Sequence, residues 1–145
     1  MKIENIQEKW NKDSIIDISD LASESIKTPQ LHSEYYKIYI NERLVFRKLE
    51  FDLKKLKFDK YEFFTNGPDE TNRDKGWLMP AKGRIMKADI SHYLESDNDI
   101  INLSLRIGIQ QEKINFLDSI IKNINTRGFQ IKNSIEYLRF QNGLN

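Results

Sequence analysis

The 145-residue chain has no cysteine, which excludes a disulfide framework, a zinc ribbon and thiol chemistry. Its 3 prolines and 6 glycines are too few for a turn-rich β-sandwich. No apolar run exceeds four residues, whereas a membrane-spanning helix needs roughly 20. The opening Met1-Lys2-Ile3-Glu4-Asn5 has no secretory apolar stretch. The 2 histidines, His32 and His92, lie far apart and outside any H-E-x-x-H pattern. Neither G-x-x-x-x-G-K-[ST] nor G-x-G-x-x-G occurs, so no loop is built to cradle a nucleotide phosphate. Glu95-Ser96-Asp97-Asn98-Asp99 lacks the glycine and distal glutamate of a calcium loop and reads as helix capping. The expectation is a protein that is not an enzyme and takes neither metal nor cofactor.

Charge is present but unevenly placed. The formal net charge is only +1. Residues 1–42 carry net −3, residues 43–60 net +4, residues 61–100 net −3 and residues 101–145 net +3. The apolar fraction of 39% is lean. A lone subunit of this size buries only about two-thirds of its surface, so the composition points to helices that share a core with partners.

Helical periodicity dominates the chain. Ile3, Ile6 and Trp10 mark a short amphipathic helix, and Asp17 or Ser19 is placed to cap a second one through Leu21 to Ile26. Thr28-Pro29 then reads as the start of a long helix over about 29–65, some ~55 Å at 1.5 Å per residue. Leu31, Tyr35, Ile38, Val45, Leu49, Leu53, Leu56 and Phe63 line one side of it, interrupted by Glu42 and Asp59. Asn66-Gly67-Pro68-Asp69 opens an irregular loop over 66–83, followed by a short helix near 84–95. From Ile100, alternating steps of three and four meet Leu103, Ile107, Gln110, Ile114, Leu117, Ile121, Ile124, Gly128, Ile131, Ile135 and Leu138. That repeat is the seam of a helix packed along another helix. Asp97 or Asp99 is its expected N-cap, and Gly128 is expected to kink or break it. The fold class is therefore all-α, with long antiparallel helices and a heptad-patterned C-terminal helix.

Two surfaces follow. Arg47, Lys48, Lys54, Lys55, Lys57 and Lys60 alternate with aromatics up to Tyr61 and Phe64. Lysines offer point charges to phosphates, and exposed rings stack on bases without reading sequence. The same pattern also describes a solvated helix face whose aromatics are core. A second basic-aromatic group, Lys75, Trp77, Lys82, Arg84 and Lys87, lies in or beside the loop. The heptad seam either packs on the long helix within one chain or drives assembly. Its length and the lean composition favour self-association, with Gln110 setting register.

Several segments resemble the UvsY family of recombination mediators from T-even-like phages. They are Lys2 to Glu8, Asp13 to Asp17, Lys60-Tyr61-Glu62-Phe63-Phe64-Thr65, Ile114-Asn115-Phe116-Leu117-Asp118-Ser119, and the run Thr126-Arg127-Gly128-Phe129-Gln130-Ile131-Lys132 ending near Phe140-Gln141-Asn142-Gly143. The resemblance implies a ring-like hexamer or heptamer that binds single-stranded DNA. It also implies contacts with a RecA-like phage recombinase and the phage single-strand binding protein, in the cytoplasm of the infected bacterial host. In the family, two basic residues two positions apart in the middle motif are tied to DNA binding. Lys60 falls on the second, while the first falls on Phe58, leaving Lys55 or Lys57 as the replacement. On this reading residues 1–96 form the DNA-binding region and residues 97–145 the oligomerisation region. The oligomerisation residues are Ile114, Leu117, Ile121, Ile124, Arg127, Gly128, Phe129, Ile131, Ile135 and Leu138. The alternative is a helical assembly or adaptor protein without DNA affinity.

Overall fold

The computed structural model describes residues 1–143, and every regular element among them is helical. The order is α1 (Ile3–Asp13), α2 (Leu21–Asn66), one 3-10 turn (Arg73–Lys75), α3 (Ile90–Glu95) and α4 (Asn98–Gln141). None of the described helices is long and apolar enough to cross a membrane. Contacts divide the chain into two units: Met1–Arg43 with the chain from Glu112 onward, and Leu44–Gln111. Each unit draws on both sides of residue 96, because α2 and α4 each contribute to both.

α3 begins at Ile90, not near residue 84, and the two long helices also differ from those read in the sequence. The long helix begins at Leu21, and Pro29 lies inside it. The Asp20 carboxylate caps it by accepting from the Ser23 N–H at 3.3 Å, while Asp17 closes a turn onto the N–H and hydroxyl of Ser19. An internal proline removes one helical hydrogen bond and crowds the preceding turn, a cost of about 3 kcal/mol. Tertiary contacts hold the turn in place. Leu21 and Glu24 are buried, and Arg127 donates to the Glu24 carbonyl and, at 2.7 Å, to the Thr28 hydroxyl. The second difference is Gly128, which interrupts nothing: α4 is continuous from Asn98 to Gln141. Glycine costs a helix about 1 kcal/mol, and the buried Ile124, Arg127 and Ile131 anchor the backbone on both sides of it.

Other signals stand where the sequence puts them. α2 ends at Gly67, whose φ of +81° is the left-handed conformation of a helix cap and whose N–H reaches the Phe63 carbonyl at 2.8 Å. Asp97 caps α4 by accepting from the Ile100 N–H at 3.1 Å.

In the first unit, α1, the early part of α2 and the late part of α4 enclose Ile6, Tyr35, Leu117, Ile120, Ile121 and Ile124. Trp10 meets Tyr35 edge-on with centroids 5.4 Å apart. The α2–α4 pair is antiparallel here, because Lys113 pairs with Glu42 at 3.1 Å while Arg127 pairs with Glu24 at 2.5 Å. Burial pushes the Tyr35 phenol above its ordinary value, and its O–H donates to Asp13 at 2.8 Å. Desolvation works to raise the Asp13 carboxyl, but hydrogen bonds from Lys9 and Tyr35 outweigh it and hold the group below its usual value.

In the second unit the core is aromatic. Phe63, Phe64, Ile85 and Ile90 are buried, with Tyr61, Trp77, Met79, Tyr93 and Leu94 packed on them. The loop after α2 is locally ordered. Asp69 accepts from the Thr71 N–H and hydroxyl, and buried Asn72 accepts from the Asp69 N–H at 2.8 Å. The Ile85 N–H then ties the loop back to the Phe64 carbonyl at 2.8 Å.

Candidate nucleic-acid interface

The part of α2 in the second unit has two unlike faces. Leu49, Leu53, Leu56, Lys60 and Phe63 recur at steps of four and three and turn away from solvent. Arg47, Lys48, Lys54, Lys55 and Lys57 are all exposed. Arg47, Lys48, Lys55 and Lys57 form no ion pair among the described residues, and Lys54 only overlies the Phe51 ring, 5.5 Å from its centroid. Cations left without a carboxylate partner are available to phosphate oxygens.

The other three proposed contacts lie elsewhere. Lys60 is only 4% exposed. Its ammonium sits 3.1 Å from Asp97 Oδ1 and 2.8 Å from Asp99 Oδ2, and 4.3 Å from the Trp77 ring centroid. It occupies a seam position facing the start of α4, so it fastens three segments together and presents no charge to a ligand. Phe64 is buried against Phe63 and Tyr93, and Tyr61 is half-buried on the same cluster. The aromatics that do face solvent are Phe51 and Phe58, 67% and 62% exposed, with Leu44 one heptad earlier. Sequence reasoning passed over these two as ligand contacts. Their seven-residue spacing, out of phase with the Leu49–Leu56–Phe63 heptad, was the available signal.

The loop patch is mixed. Lys75, Lys82, Arg84 and Lys87 are exposed, while Trp77 is half-buried, edge-on to Phe63 at 5.5 Å and flanked by Lys60 and by Lys75 at 5.1 Å. A hollow of about 470 Å³ opens beside α2, lined by Lys55, Phe58, Lys75 and Trp77 but also by Asp59, Glu62 and Asp69. Those carboxylates oppose the attraction of Lys55 and Lys75 for a phosphate there.

The expected assembly surface is also redistributed. Ile114, Leu117, Ile121, Ile124, Arg127 and Ile131 are buried within the single chain, so that face of α4 is already occupied by its own partners, not a second subunit. The repeat is a seam, as read, but from Ile114 to Ile131 an intramolecular one. Gly128 is exposed, and a side chain there would open into free space. Exposed apolar residues of α4 lie before that stretch, at Ile101, Leu105 and Ile109, and towards its end: Phe129 at 70%, then Ile135, Leu138 and, beside them, Tyr137 and Phe140. His32 stacks on Tyr36, and His92 is exposed.

Comparison with known proteins places this architecture. The recombination protein UvsY of Enterobacteria phage T4 is 24% identical over 146 aligned residues, 99% of each chain. Two crystal forms of the bacteriophage T4 recombination mediator protein UvsY superpose with a TM-score of 0.77 at 20% identity. They cover 97% of this chain and 99% and 98% of theirs. The profile described as recombination, repair and ssDNA binding protein UvsY matches residues 9–144, and the chain therefore belongs to the UvsY family.

Proposed function

We propose that this chain is a recombination mediator: an oligomeric protein that binds single-stranded DNA without sequence preference. It loads a RecA-like phage recombinase onto strands coated by the phage single-strand binding protein, in the cytoplasm of the infected host. The observation that carries this reading is the row of exposed, unpaired cations Arg47, Lys48, Lys55 and Lys57 on one helix of a nearly neutral subunit. Family membership supports the nucleic-acid class of ligand.

A single such patch binds weakly. Identical copies held side by side turn successive contacts into intramolecular ones and raise the effective concentration, with avidity gains of roughly 10²–10⁴. The exposed apolar stretch from Phe129 to Phe140 on α4 is the surface that holds them, as a hexameric or heptameric ring. The strand on such an assembly is gripped by phosphate charge, so binding is salt-sensitive. Displacing the coating protein then follows from competition for the same backbone.

Light scattering with and without oligo-dT, alongside a mobility shift at two salt concentrations, tests the reading. It expects a mass several times that of one chain and a shift that weakens with salt. A second reading, a helical adaptor without DNA affinity, draws on the same Phe129–Phe140 surface; an assembled protein that leaves oligo-dT unshifted selects it.

A further inference from the structure

We propose that Phe51 and Phe58 are base-stacking platforms, so that α2 holds a single strand by alternating rings and cations along one face. This rests on the reading of the chain as a single-strand binder and assigns the contacts within that site. Phenylalanine left two-thirds exposed keeps apolar surface in water that burial would stabilise at about 25 cal/mol per Å². Here two such rings stand seven residues apart, hence on the same side of the helix and about 10 Å apart along its axis. On that side Lys48 stands three residues before the first ring and Lys55 lies between the two, four residues after the first, while Lys54 lies over the first ring.

The alternation identifies the occupant. Protein interfaces enrich aromatics but deplete lysine at their centres, so a second copy or a protein partner would strand Lys48 and Lys55 in the contact. Single-stranded nucleic acid uses both kinds of group: the rings take base faces and the ammoniums take phosphates. Duplex DNA offers no free base faces to the rings, only phosphates to the lysines. The stripe therefore discriminates single from double strands through the phenylalanines, and sets salt dependence through the lysines. Bases stacked on the two rings lie about 10 Å apart along the helix, roughly three B-form rises.

The test uses the full-length protein with Phe51→Leu and Phe58→Leu, singly and together, in fluorescence anisotropy with oligo-dT and with an abasic oligomer of equal length. Leucine keeps an apolar side chain at exposed positions, so folding is preserved. Affinity for oligo-dT is expected to fall about tenfold per ring, with the slope of log affinity against log salt unchanged and binding of the abasic oligomer unaffected. Equal affinity of wild type and the double variant for oligo-dT overturns the stacking role while leaving the single-strand reading intact. Wild type that binds no oligo-dT overturns both. A double variant whose mass by light scattering falls below that of wild type makes the stripe a contact between copies and overturns the proposal.

Discussion

The two units of this chain pair their cations to different extents. In the first, Lys9, Lys27, Lys113, Lys122 and Arg127 are each within 3.1 Å of a carboxylate oxygen. In the second, Lys60 alone of the described cations is paired, and it is the buried one. The cause lies in how many helices cover α2. In the first unit α1 and α4 both pack on it, enclosing an aliphatic core. Between Leu44 and Phe58 one side of α2 stays in solvent. Leu44, Phe51 and Phe58 are exposed on α2, and Ile101, Leu105 and Ile109 on α4. A third helix converts a surface into a core; away from it, the same helix keeps a solvent-facing side.

The sharpest break in this contrast is Leu117→Ala. The side chain is wholly buried in the first unit, and its loss leaves a cavity worth about 3 kcal/mol. The expected result is a lower urea midpoint and, by the same truncation, weaker DNA binding only in step with unfolding. Next is Arg127→Ala, which strands a buried Glu24 and frees the turn at Pro29. Breaking a buried pair in this way costs about 3 kcal/mol, measurable by chemical denaturation. The sequence reading of Arg127 as an oligomerisation residue expects lost assembly instead, so sedimentation of the folded variant separates the two.

Lys60→Ala comes third. It leaves Asp97 and Asp99 without their cation. Because Asp99 is half-exposed, the penalty is nearer 2 kcal/mol than the full buried-pair cost. The salt slope of DNA binding should not change, because a buried ammonium neutralises no phosphate; a slope reduced at native stability would return Lys60 to the interface.

The smallest effect concerns pH in the first unit. The Asp13 carboxyl is held below its usual value of about 3.9. Its contribution is therefore complete above that value and is lost as pH falls through the lower folded value. Wild type should lose more stability than Asp13→Asn between pH 5 and about pH 2, as read from urea midpoints.

Much of this contrast was legible in the residues, and the illegible part has a common cause. The α4 repeat, the Asp97 cap and the Gly67 break are local signals: periodicity, a side-chain oxygen, a left-handed glycine. Pro29 and Gly128 misled because a local rule was outweighed by distant contacts, Arg127 reaching across to Glu24 in one case and flanking core isoleucines in the other. Lys60 misled for a related reason. Its charge suggested the surface, yet the step Leu56–Lys60–Phe63 put it in the seam, opposite acids nearly forty residues away. Glu42, read as an interruption of the stripe, is the mirror case, buried and paired with Lys113. Polar residues in a seam are intelligible only once the partner helix supplies the countercharge.

The account turns on where phosphate is met, and salt-dependent binding locates it. Oligo-dT affinity is measured against salt for wild type, for Lys48→Gln with Lys55→Gln in the second unit, and for Lys27→Gln with Lys122→Gln in the first. Each neutralised phosphate contributes about 0.7 to the slope on a single strand. The second-unit pair should flatten the slope by roughly 1.4 per engaged protomer, and the first-unit pair should leave it at the wild-type value. A slope flattened by the first-unit pair and untouched by the second would contradict the account.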